Sequence, residues 1–242
     1  MDEKAPTTHS RNDMTNRPKR IQENLLAGPE RRLLTWLCAR MPRWMTPDIL
    51  TATGLAGAAL TGIGYAASNS NPFWLILAIA GFVVQWFGDS MDGSLARFRS
   101  IERPSYGYFV DHSCDGLTIL FIMVGMGASP YVTMSIALFA LAGYLLLAIH
   151  TFLIAHVIHE FPLSHFNIGP TELRIILIIL SLSMLLTKNM ASPPSARIYF
   201  DVFVVFCAGI MVFLFVTRTW SVSRKLAASD MVYGSAANFD RP

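Results

Sequence analysis

Apolar residues in this chain gather into long runs broken by short polar turns, a pattern of membrane-crossing helices and not of half-buried strands. Six runs are predicted as spans: residues 47–67, 73–97, 106–127, 131–158, 170–187 and 198–216. Thr46, Pro47 and Asp48 make a helix start, with a capping hydroxyl, a proline at the first helical position and an acid in the first turn. Gly54, Ala58 and Gly62 recur every fourth residue of the first run and give a smooth face for close helix packing.

Upstream the pattern changes. Leu33, Leu34, Leu37 and Met41 recur at helical spacing, Arg31, Arg32, Thr35, Arg40 and Arg43 face elsewhere, and Trp36 and Trp44 lie close by. That predicts an amphipathic interfacial segment over residues 21–45, lying on an anionic leaflet. Residues 1–20 read as a disordered basic tail, 46–224 as a six-helix transmembrane catalytic domain and 225–242 as a polar C-terminal tail. The expected fold class is all-α: a membrane bundle of six helices preceded by the interfacial helix.

Composition removes the soluble alternatives. The chain is 53% hydrophobic and 14% charged, with a mean hydropathy of +0.44, too apolar for an ordinary soluble domain. Cys38, Cys114 and Cys207 lack metal-ligand spacing and read as small apolar helix residues. The first 20 residues are polar and hold no signal-like apolar core, so translocation of this end is not expected. With six spans, 17 of the 19 Lys and Arg fall on the side of the termini, Arg174 included, and only Lys188 and Arg197 opposite. The positive-inside rule then puts both termini and the polar cluster described next at the cytoplasmic face. Basic residues interleaved with Trp and Leu beside a span favour membrane lipids as the partner, and no nucleic acid is expected.

Candidate chemistry concentrates in residues 89–115, DSMDGSLARFRSIERPSYGYFVDHSCD. Asp89 and Asp92 share one face of the second span, and Gly107, Asp111 and Asp115 share one face of the third. The second span descends to the cytoplasmic side and the third rises from it, so the four acids can meet at similar depth. Converging carboxylates repel and resist burial unless cations join them. All-oxygen ligation favours a hard divalent ion, Mg²⁺ or Mn²⁺, with substrate phosphates as further ligands. Gly93 leaves room for a ligand at the helix backbone, Gly107 permits close helix approach, and Arg97 can make paired hydrogen bonds to phosphate.

These residues form the pattern DxxDGxxAR followed by GxxxDxxxD, written here as Asp89, Asp92, Gly93, Ala96, Arg97, Gly107, Asp111 and Asp115. It resembles the signature of the CDP-alcohol phosphotransferase (phosphatidyltransferase) family. Nine residues separate Arg97 from Gly107, where that family usually has seven or eight. Locally, PDILTATG and FVDHSCD are similar to stretches of choline and ethanolamine phosphotransferases through Pro47, Thr51, Gly54, Phe109, Asp111, His112, Cys114 and Asp115, with Asp48 standing for their usual Asn. The resemblance implies a phospholipid-synthesis enzyme that moves a phosphate-linked alcohol or phosphatidyl group from a CDP-linked alcohol donor to a lipid or polar alcohol acceptor, releasing CMP. It implies two ions held by Asp89, Asp92, Asp111 and Asp115, with Asp115 also the general base. Asp92, Gly93, Ala96 and Arg97 are implied to contact CDP, and a homodimer is the implied assembly.

Weaker signals surround the cluster. His112, Glu172 and Arg174 are candidate acceptor or phosphate contacts, although the position of His112 points it off the acidic face. His150, His156 and His159, with Glu160, read as a polar wall or as interface histidines more readily than as a metal site. The alternative to an enzyme is a divalent-cation transporter or channel using the same acids. Such a protein does not call for Gly93, Ala96 and Arg97 at their offsets, and no internal repeat supports it.

Overall fold

A computed structural model describes residues 20–21, 27–157, 161–162, 170–187 and 193–239, with side chains of helical residues described over 28–157, 170–187 and 197–228. The described chain is helical: α1 (Ala27–Cys38), α2 (Pro47–Ala67), α3 (Trp74–Phe98), α4 (Pro104–Gly127), α5 (Met134–Val157), α6 (Pro170–Leu186) and α7 (Pro193–Phe239). One two-residue parallel bridge joins β1 (Arg20–Ile21) to β2 (Phe161–Pro162). Other expectations for the basic tail, and those for His159 and Glu160, lie outside the described residues.

Among the described residues, five helices are long and apolar enough to cross a membrane: α2, α3, α4, α5 and Arg197–Ala228 within α7. The expected sixth, α6, has 17 residues. At about 1.5 Å per residue it reaches about 26 Å, less than the roughly 30 Å hydrocarbon core. The helix that carries the last expected span continues past Val216, to Phe239.

The start of α2 forms as its residues dictate, with Thr46 capping the Ile49 amide and Pro47 at the first position. Glycine then sets the packing of α2 on α3. A Cβ at Gly57 would lie 2.5 Å from the Gln85 backbone nitrogen, and Gly54 faces Gly88 and Asp89 while Gly64 faces Ala78. Residue numbers rise along α2 as they fall along α3, so the pair is antiparallel. Gly62 instead opposes α4, where a Cβ would sit 2.5 Å from the Phe121 carbonyl oxygen. The Gly54, Ala58, Gly62 stripe therefore serves two neighbours. Helix α5 packs on α4 and α7, and α6 packs on α3.

The main core gathers Tyr65, Phe82, Met126, Val132 and Met184, all fully buried. Within it the Tyr65 and Ser181 hydroxyls hydrogen-bond at 2.6 Å, joining α2 to α6. A second cluster, Cys38, Leu50, Met91 and Leu95, receives Leu34, Leu37 and Met41. Helix α1 thus docks on the bundle by one face. Leu33 and Trp36 stay exposed, so the apolar row expected along α1 divides between protein and surroundings. Burial pushes the Cys38 thiol up, in keeping with a packing role.

Candidate active site

The acids converge at one end of the α2–α3–α4 bundle. Asp89, Asp111 and Asp115 each offer an oxygen, and these oxygens all lie within 4.8 Å of one another. A cleft beside them is lined by Thr51, Gly54, Cys114 and Thr118. The fourth acid, Asp92, stands slightly apart. Its Oδ2 accepts a hydrogen bond from Thr51 Oγ1 at 2.6 Å, and its Oδ1 faces the Gly93 amide. Neutralising one carboxylate of the group, Arg174 from α6 donates through Nη2 to Asp89 Oδ2. Close-set, half-buried carboxylates fit a hard, oxygen-seeking divalent cation.

The end of α3 is shaped by its backbone. Ser100 adopts a left-handed φ of 55°. The Ile101 amide donates to the Ala96 carbonyl at 3.0 Å and the Ser100 amide to the Arg97 carbonyl at 3.1 Å, the paired pattern that closes helices. This presents the half-buried Ala96 and the exposed Arg97 at the rim. The Arg97 side chain folds back over Gly93, where a Cβ would lie 3.2 Å from Nη1. Arg99 anchors the same end by donating to the carbonyls of Met45 at 2.6 Å and Pro42 at 2.8 Å.

Two expectations change. The spacing predicts that Gly107 admits a neighbouring helix, yet beyond its own helix backbone and chain neighbours no described atom lies within 4 Å of where its Cβ would be. It sits one turn into α4, and among the described residues none meets it there. His112 was expected to point away from the acids, but its Nδ1 lies 3.6 Å from Asp111 Oδ2 and 3.5 Å from Asp115 Oδ2. Phe152 of α5 stacks on the His112 ring at 5.1 Å and Tyr108 meets its edge at 4.3 Å, which holds the ring across the helix.

Among the weaker candidates, Arg174 faces the cluster instead of snorkelling away, and Glu172 is half-buried in the first turn of α6. His150 is buried on α5 against Thr219 of α7, with Nδ1 3.2 Å from Oγ1, and His156 is exposed. They do not join the acids. Sequence reasoning passed over Thr51 as the partner of Asp92. It also passed over Glu30, whose Oε1 accepts from Trp86 and Thr171. Thr51 lay within a recognised motif, whereas Glu30 looked like any first-turn acid.

The profile described as CDP-alcohol phosphatidyltransferase matches residues 44–216. Cholinephosphotransferase 1 of Gallus gallus is 31% identical over 121 residues, 44% of this chain and 36% of the relative. Cholinephosphotransferase 1 of Homo sapiens is 36% identical over 109 residues, 42% of this chain and 26% of the relative. The matched stretches thus span little more than a third of these relatives at most. With the profile covering most of the chain and all eight signature residues inside it, the chain belongs to the CDP-alcohol phosphatidyltransferase family.

Proposed function

We propose that this protein is a metal-dependent CDP-alcohol phosphotransferase of phospholipid synthesis. It moves a phosphate-linked alcohol or phosphatidyl group to a hydroxyl acceptor and releases CMP. The observation that carries this reading is the convergence of Asp89, Asp111 and Asp115, within 4.8 Å of one another, beside the Gly93, Ala96 and Arg97 edge.

Asp89, Asp92, Asp111 and Asp115 would hold two Mg²⁺ or Mn²⁺ ions, which when bound supply charge neutralisation for the diphosphate. The chain's own residues do the rest. Asp92, Gly93 and Ala96 border the CDP portion, Arg97 makes paired bonds to phosphate, and the open space at Gly107 leaves room for it. Asp115 takes the acceptor hydroxyl proton as that oxygen bonds to the phosphorus distal to cytidine. The bond from that phosphorus to the bridging oxygen breaks, and its electron pair leaves with CMP. Because a carboxylate is a weak base, orientation by the surrounding helices contributes much of the rate. Arg174, Glu172 and His112 form the acceptor or phosphate side.

An apolar pocket lies between α4, α5, α6 and α7 and is lined in part by Met123, Tyr144, Leu173, Leu177 and Met211. Leu173 adjoins Arg174, which supports a lipid chain reaching the site from this side. With α6 as a sixth, short span, the lysine and arginine distribution supports both termini and the site facing the cytoplasm, and family resemblance supports a homodimer.

The test is a matrix of CDP-diacylglycerol, CDP-choline and CDP-ethanolamine with candidate acceptors, scoring CMP and lipid product with Mg²⁺ or Mn²⁺ supplied. CMP release that needs metal, and is lost in Asp115→Asn, is the expected result. Metal flux in proteoliposomes without CMP release would favour a transporter instead.

A further inference from the structure

Glu30 of α1 lies outside the family-matched segment, which begins at residue 44, yet it reaches the catalytic corner. Its Oε1 accepts from Thr171 Oγ1 on α6 at 2.8 Å, from Trp86 Nε1 on α3 at 2.9 Å and from Ser90 Oγ on α3 at 3.4 Å. Each α3 or α6 donor leads toward the acids. Ser90 adjoins Asp89, and Thr171 sits three residues before Arg174 on the same helix, so both project from one side of α6. Arg174 in turn pairs with Asp89 across the α3–α6 boundary.

We propose that Glu30 is a positioning residue: by gripping Thr171 it sets the first turn of α6, and so holds Arg174 against Asp89. This rests on the proposed role of Arg174 as a phosphate or acceptor contact. Two consequences of opposite sign follow. Arg174 seated on Asp89 competes with a cation for that carboxylate, so loosening α6 strengthens metal binding. The same loosening misplaces Arg174 for the substrate phosphate, so turnover falls. Damage that merely disordered the corner would weaken both.

The deciding variant is Thr171→Val, which keeps shape and formal charge and removes only the hydroxyl. The full chain in detergent is titrated with Mn²⁺ and followed by electron paramagnetic resonance, with CMP release measured in parallel. Thr171→Val should bind Mn²⁺ about fivefold more tightly, within the usual range of site-to-site coupling. It should release CMP about tenfold more slowly, as is usual for a lost supporting contact. Thr171→Ser should restore both. With Arg174→Ala already present, Thr171→Val should leave Mn²⁺ affinity unchanged. Unchanged or weakened Mn²⁺ binding in Thr171→Val, or the same tightening without Arg174, overturns the proposal. The Mn²⁺ titration reads the inference even where no CDP-alcohol is turned over, which separates its failure from failure of the transferase reading.

Discussion

Thr51 on α2 donates its hydroxyl to Asp92 on α3 at 2.6 Å, so the first span fixes the orientation of an acid borne by the second. The contact links the two helices at the level of the clustered carboxylates. Thr51→Val preserves shape and leaves Asp92 Oδ2 without this donor. Supporting contacts of this type commonly cost about 10- to 100-fold in activity or metal affinity when removed. We expect such a loss of CMP release in Thr51→Val, with thermal stability in detergent near that of the parent and recovery in Thr51→Ser.

Glycines in this protein divide by what surrounds them. A Cβ at Gly57 would meet backbone of α3 at 2.5 and 2.8 Å, which cannot yield without moving a helix. Overpacking of that kind costs about 1–3 kcal/mol. Gly57→Ala should therefore lower the melting temperature clearly. At Gly107 no neighbour among the described residues lies within 4 Å, and at Gly93 the nearest atom is the far end of the Arg97 side chain. Gly93→Ala and Gly107→Leu should melt like the parent while raising the KM for the CDP-linked donor. A stability loss in either would mean that the space belongs to packing and not to substrate.

Opposite the site, α7 caps α5. Asp201 accepts from the Thr133 amide at 2.7 Å and from its hydroxyl at 2.6 Å, and Arg197 donates to the Val132 carbonyl at 3.0 Å. Capping contacts are worth about 0.5–2 kcal/mol. Asp201→Ala should lower thermal stability accordingly and leave the KM for the donor unchanged, since the contact lies far along α7 from the acids.

Ser100 holds a conformation that glycine adopts at less cost, with φ at 55° where α3 ends. Side-chain crowding in that region costs roughly 1–2 kcal/mol for non-glycine residues. Ser100→Gly should raise the melting temperature, and CMP release should persist because the Ala96 and Arg97 carbonyls keep their amide partners.

Asp48 and Arg103 form an exposed ion pair between the start of α2 and the start of α4. Asp48 stands where choline and ethanolamine phosphotransferases usually have Asn, and Arg103 lies in the nine-residue connection between Arg97 and Gly107. The ion pair ties that connection to the start of α2. Reading the motif alone left both departures unexplained, because the pairing joins residues 55 positions apart.

Sequence alone determined the helical class, the starts of α2 and α6, and the four acids with their faces. Those features rest on local quantities: hydrophobic period, a capping hydroxyl, a proline, and three- or four-residue spacing. Tertiary structure decided which glycines meet which helix, that His112 lies across Asp111 and Asp115, and that no described neighbour meets Gly107. It also decided that Arg174 meets Asp89 and that Glu30 reaches Thr171, 85 and 141 residues apart in the chain. Such contacts depend on the rotation of each helix about its axis and on its neighbours, and no periodicity within one helix encodes them.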